Sequence, residues 1–144
     1  MRRKFIYLGV LVIVFLSTIA NAANKRTKLY MYGVVTYFND STIYFTDIME
    51  TDSAWVDGKT GFLYGRENYS YQLRDYMKKN GVAYPTCVTS YAKKRQDIEK
   101  KYAKIKKRYL EKNVFNIKYI TANEFKYTPI VPDEVLMETK QDSK

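Results

Sequence analysis

Residues 29–49 read LYMYGVVTYFNDSTIYFTDIM, and what this stretch becomes decides the architecture of the chain. Leu29–Phe38 is rich in Tyr and Val, with apolar residues at both alternating positions. That is the pattern of an interior strand covered on both faces. Asn39-Asp40-Ser41 is turn chemistry, because Asn and Asp tolerate left-handed backbone and bond their own chain. Thr42–Met49 then alternates Ile43, Phe45 and Asp47 against Tyr44, Thr46 and Ile48. Two β-rich runs around a short polar turn predict an antiparallel hairpin.

Working toward the C-terminus, residues 50–66 (ETDSAWVDGKTGFLYGR) carry a tight-turn signal at Asp57-Gly58. They read either as a small hairpin, Ala54–Val56 against Phe62–Tyr64, or as a long irregular loop. Trp55, Phe62 and Tyr64 would cap the core or form an aromatic loop surface. The next stretch, ENYSYQLRDYMKKNG, predicts a helix: Tyr69, Leu73, Tyr76 and Met77 make one apolar stripe, with Asn68 as N-cap and Gly81 as the left-handed stop. Tyr84–Tyr91 reads as a strand, with Pro85 arguing for an entry or edge position. A second helix starts between Ala92 and Gln96 and ends near Lys112 or Asn113. Val114–Thr121 is a further strand, and residues 124–131 are a short strand or a packed arm. The mixed order predicts an α+β two-layer sandwich: a mostly antiparallel sheet of about four or five strands with two helices. At the coarsest level this order resembles that of GIY-YIG endonucleases, but YMYGVVTYF lacks their defining tripeptides, so that family is set aside.

Toward the N-terminus, Arg2, Arg3 and Lys4 precede an apolar run from Phe5 to Leu16, and Ala20-Asn21-Ala22 offers small residues for cleavage before Ala23. The run is shorter than the roughly 20 residues of a spanning helix. A cleaved signal peptide over residues 1–22 is expected, with a retained anchor as the other reading. The expected product is secreted or periplasmic, with no transmembrane segment after cleavage: one domain over residues 23–132 and a disordered polar tail over 133–144. Cys87 is the single cysteine, which excludes an intramolecular disulfide and thiolate metal sites within one chain.

The charge is local. Beyond residue 22 the chain holds 22 basic and 15 acidic residues, and the same excess of seven is found within residues 93–112 alone. On a helical wheel, Ile98, Tyr102, Ile105 and Tyr109 form a narrow apolar seam. Lys100, Lys101, Lys104, Lys107 and Arg108 fall on the opposite side as a candidate anion-binding strip. A lysine-rich outer face often serves solubility alone. Here, however, no acid separates Lys100 from Arg108, and like charges four residues apart repel. The expected partner is an anionic polymer, acidic lipid head groups or an acidic protein surface, not intracellular nucleic acid. Exposed aromatics for base stacking are missing from the strip.

Catalysis is poorly provided for. The absence of His excludes Ser-His-Asp and Cys-His arrangements and His-ligated zinc. No P-loop or dinucleotide glycine pattern occurs, and no cofactor or metal is expected. The remaining candidates are Asp47, Glu50, Asp52 and Asp57, with Arg66 and Glu67, as a His-free hydrolase. The leading expectation is a non-enzymatic exported binding domain; a carboxylate hydrolase and a structural envelope protein are the alternatives.

Overall fold

The spine of the molecule is β1 (Asn24–Tyr37), against which every other layer is built. In the computed structural model, which describes residues 23–143, it is followed by β2 (Thr42–Thr46), β3 (Met49–Asp57), α1 (Arg66–Lys79), β4 (Pro85–Ala92), α2 (Arg95–Glu111), β5 (Asn116–Ile120) and α3 (Asp133–Gln141). The expected signal peptide at 1–22 lies outside the described residues. Among those residues no helix is long and apolar enough to cross a membrane.

Pairing partners fix the sheet. Val34 and Val35 pair with both β2 and β4, while Tyr30 and Met31 pair with both β3 and β4. A strand has two edges, so β4 occupies one, and β2 and β3 follow one another along the other. The predicted hairpin is therefore present and longer than expected. Its return arm continues through β3, which pairs back to Asn24. β5 adds in parallel to β2.

The return arm carries extra residues at two places. Val34 faces Phe45 but Met31, three residues back, faces Met49, four residues on, and the register shifts again where Leu29 faces Thr51 and Thr27 faces Ala54. The first of these shapes the centre of the sheet. This bulge falls at Asp47-Ile48. There the Gly33 N–H is taken by the fully buried Thr46 hydroxyl at 2.8 Å, so no donor is left empty. Over residues 50–66 the sequence reads equally as a small hairpin or a loop, because Glu50, Asp52 and Ser53 are poor strand formers. Tertiary pairing and burial of Ala54 and Val56 override that propensity. The small hairpin closes on top of it: Asp57 N–H donates to Phe62 O at 2.9 Å, and Tyr64 N–H to Trp55 O at 2.8 Å.

The expected two layers are three. Leu29, Met31 and Val35 point to one face of β1 and pack with Tyr69, Leu73 and Met77 of α1. Tyr30, Tyr32 and Val34 point to the other and pack with Ile98 and Tyr102 of α2. Alternation along β1 thus sends neighbouring residues to different helices. The reason is β4: the chain enters this edge strand from α1 on one face and leaves it for α2 on the other. The stripe of α1 buries as expected, but the helix begins at Arg66 after a left-handed Gly65, so Asn68 lies inside it and is not the cap.

Residues 121–132 form a packed arm across the α1 face. Phe125 is buried, and Tyr127 sits edge-on to both Tyr69 and Phe125. The Gln72 amide clamps the arm in both directions, donating to Thr128 O at 2.8 Å and accepting from Thr128 N–H at 2.7 Å. The stretch expected to be a disordered tail instead carries a third helix, α3. Pro132 stands at its start, Asp133 and Glu134 in the first turn and Lys140 in the last, which suits the helix dipole.

Gly33 lies where α1 and the arm come closest to the sheet. A Cβ there would collide with Leu73 Cδ2 and sit 2.5 Å from Tyr127 Oη. Tyr127 hydrogen-bonds Thr89 Oγ1 at 3.0 Å, which also accepts from Ser70 Oγ at 3.0 Å. We expect Gly33→Ala to destabilise the fold by about 1–3 kcal/mol, the usual cost of overpacking. Thermal unfolding by circular dichroism measures this, and an unchanged midpoint would mean that helix and arm yield freely.

Candidate functional site

α2 is built to present one face and hide the other. Ile98 is fully buried, and Tyr102, Ile105 and Tyr109 are half-buried against the sheet. The Tyr102 ring meets Tyr32 and Phe45 edge-on, with centroids 5.0 and 5.4 Å away. Tyr109 does the same to Phe115 at 5.1 Å and Phe45 at 6.2 Å. Such aromatic contacts each add about 0.5–1.5 kcal/mol to the burial of the rings. They hold the rotation of α2, and with it the direction of every lysine.

The five cations of the candidate strip are all exposed, but their surroundings divide them. Lys107 stands 3.7 Å from Glu111. Lys101 donates to Tyr91 O at 3.0 Å and lies over the Tyr91 ring. Lys100, Lys104 and Arg108 make no ion pair with the described residues. Spaced by four, they form a row about 12 Å long on one flank of the helix. Of the nearby cations outside the strip, Arg95 is held by Glu99 at 2.9 Å, and Lys106 lies over the Tyr119 ring.

Trp55, Phe62 and Tyr64 share the outer face of the small hairpin, where Tyr64 lies opposite Trp55 and Phe62 opposite Asp57. Phe62 is 69% exposed while its neighbour Leu63 turns into the core. Tyr64 is half-buried, and half-buried Trp55 shares a shallow hollow with Glu134, Val135 and Glu138 of α3. No aromatic pair links Trp55, Phe62 and Tyr64 among the described residues.

The candidate carboxylates are spread along the chain, and three of them have local tasks. Asp47 accepts from Ala122 N–H at 2.9 Å, Glu50 pairs with Lys28 at 2.6 Å, and Asp57 caps its own turn through Lys59 and Thr60. Those turn hydrogen bonds hold the Asp57 carboxyl below its usual range, the Thr60 N–H most of all. Asp47, Asp52 and Asp57 are strung along an extended arm that advances about 3.3 Å per residue, which puts successive members about 16 Å apart. Paired-carboxylate hydrolases need roughly 5–9.5 Å. Glu50 and Asp52, two residues apart on β3 and so about 6.6 Å apart, meet that spacing, but Glu50 is engaged by Lys28. Among the described residues no three His, Cys, Asp or Glu side chains gather to hold a metal ion.

Two features were invisible in the sequence. Arg66, weighed there only as a partner of Glu67, donates from Nε to Thr89 O at 3.0 Å, so it and Lys101 cap carbonyls of β4 from opposite faces. Among the described residues the buried Tyr32 hydroxyl meets no partner in good hydrogen-bond geometry, although Ser90 lies near enough to influence it. Both depend on contacts between residues far apart in the chain, and neither leaves a periodic signal.

Comparison with known protein families, curated proteins and solved structures finds no match.

Burial shapes the titration of two groups on opposite faces of the sheet, Cys87 on the α1 side and Tyr102 on the α2 side. It pushes the Cys87 thiol up to about 11, and it pushes Tyr102 up to about 12 with help from nearby Tyr119 and Asp47. Both shifts favour the protonated form in the folded chain. Their stabilising contribution is therefore whole below the ordinary values of 9.0 and 10.0, and is lost as pH rises through 11 and 12. We expect Cys87 to react far more slowly with a thiol reagent at mildly alkaline pH in the folded protein than after denaturation. Tyr102→Phe should remove a component near 12 from a tyrosinate absorbance titration and leave the more strongly raised Tyr37 and Tyr127 ionising after it; loss of a component near the ordinary 10.0 instead would place Tyr102 in water.

Proposed function

We propose that this chain is an exported, non-enzymatic binding domain that contacts an anionic or acidic partner through the outer face of α2. One observation carries the reading: Lys100, Lys104 and Arg108 stand unpaired in a row on a helix whose opposite seam is locked by Tyr102 and Tyr109. Mutual repulsion between cations four residues apart costs a few tenths of a kcal/mol each. Acids at the intervening positions would relieve it, and they are absent. The rest of the chain beyond residue 22 is electrically balanced, so the positive field comes from this helix and points one way. The dispersal of the carboxylates and the lack of His support a binding role over catalysis. The leader sequence supports a secreted or periplasmic location.

The reading also reassigns work within the strip. Lys101 and Lys107 have partners of their own, so the unpaired row contributes most of the attraction. Such contacts are screened strongly by salt, since exposed charges lose most of their interaction beyond a Debye length of about 8–10 Å.

The test is elution from an anionic matrix across a salt series. The triple variant Lys100→Glu, Lys104→Glu, Arg108→Glu should elute at clearly lower salt than the wild type. Lys25→Glu, Arg26→Glu, Lys126→Glu, with the same change in net charge placed elsewhere, should elute between them. Equal elution of the two variants would reduce the strip to a solvated surface. Unchanged circular dichroism of both verifies that the fold is kept.

A further inference from the structure

β4 is an edge strand: it pairs with β1 and nothing else in the sheet. Gly33 shows which of its backbone groups face outward. The Gly33 N–H points away from β4, to Thr46 Oγ1, and Gly33 is the partner of Thr89 in the ladder. The pair is therefore of the non-hydrogen-bonded kind, and Thr89 N–H and C=O point away from β1, as do those of Cys87 and Tyr91. Arg66 caps the Thr89 carbonyl and Lys101 caps that of Tyr91. Among the described residues nothing bonds the outward N–H groups of Cys87 and Thr89 or the carbonyl of Cys87.

The other edges of this sheet carry charges that discourage pairing, Glu50 and Asp52 on β3 and Lys118 on β5. β4 itself carries none. Charge reaches its edge through Arg66 and Lys101 at the Thr89 and Tyr91 carbonyls, which leaves the Cys87 carbonyl and the Cys87 and Thr89 N–H groups open among the described residues. Its Val88 is 51% exposed. Val88 lines two grooves, one on each side of the strand. The first, about 420 Å³, lies under α1 beside Arg66 and Ser70. The second, about 200 Å³, lies under α2 between Ile105, Tyr109 and Val34, with the buried Tyr32 hydroxyl in its lining. Arg66 lines the first, and α2, which lines the second through Ile105 and Tyr109, carries Lys101 at the Tyr91 carbonyl and Arg108 seven residues on along the same flank.

We propose that β4 takes an extended, acidic segment of a partner polypeptide as an added strand. This rests on the cationic reading of α2 and specifies its partner. The N–H groups of Cys87 and Thr89 donate to carbonyls of the incoming segment, and the Cys87 carbonyl accepts from one of its N–H groups. Side chains on alternate sides of the added strand enter the two grooves. Its carboxylates meet Arg66 on one side and Lys101, Lys104 and Arg108 on the other. A polysaccharide or a lipid head group carries charge but no row of N–H and C=O groups at strand spacing, so it would leave this edge unused.

The probe is a short synthetic peptide alternating Glu with Val, added to the chain from residue 23 onward and followed by fluorescence anisotropy and amide hydrogen exchange. Two N-methylated versions, one for each alternation of the backbone, keep the charge and remove half of the donors. The parent peptide should slow exchange at Cys87 and Thr89 about tenfold or more, and one N-methylated version should bind about tenfold more weakly than the other. Equal binding of all three peptides would overturn strand addition while leaving the charge contact of α2 intact. Binding to an anionic matrix without binding to the parent peptide would do the same. Protection of Cys87 and Thr89 without peptide, at the mass of a dimer, would give the edge to a second copy and overturn the proposal. Failure to bind either the peptide or the matrix would remove the underlying reading as well.

Discussion

The structure depends on β1 being apolar at both of its alternating positions. A strand with one apolar face needs one covering layer, but Leu29, Met31 and Val35 on one side and Tyr32 and Val34 on the other require two. α1 and the 121–132 arm cover the first side, and α2 covers the second. Each covering element then settles something functional. α1 delivers Arg66 to the edge of β4, while α2 is pinned so that its lysines face outward. Gly33, at the middle of β1, lets the first layer come close, and the buried Thr46 hydroxyl compensates for the bulge in the neighbouring arm.

Much of this was legible in the residues themselves. The hairpin at 29–49, the stripe Tyr69–Leu73–Met77 and the Ile98–Tyr109 seam follow from local periodicity, and periodicity is what burial selects. The layer count was not legible, because a helix stripe shows that it is buried but not which face of the sheet it covers. That information lies in the crossing of β4 from one face to the other. β3 was obscured for a different reason: Glu50, Asp52 and Ser53 disfavour a strand locally, and only its long-range partner, Asn24–Met31, reveals it. α3 was missed because a polar helix without a buried residue looks like a tail.

The candidate strip was legible as a face but not as a set of individual charges. A helical wheel places Lys100, Lys101, Lys104, Lys107 and Arg108 together and treats them alike. The structure distinguishes them by what each can reach: a backbone carbonyl of β4 for Lys101, Glu111 for Lys107, and no carboxylate for the others. For the aromatic loop, the alternation that buries Leu63 turns Phe62 away from the core and into solvent, on the same face as Trp55 and Tyr64. Composition flags a residue type, but strand parity decides where it points.

The parallel pairing of β5 with β2 has a consequence for how the chain reaches this state. Thr42 cannot meet Asn116 until both helices and β4 lie between them, so the sheet closes through one of its most distant contacts. Contacts of such high sequence separation are formed late and slowly, because the entropy of the large loop is lost before the strand pair repays it. The early hairpin can assemble from its own neighbourhood, whereas completion waits for the C-terminal third. A nascent chain of this kind stays open until nearly all of it has emerged.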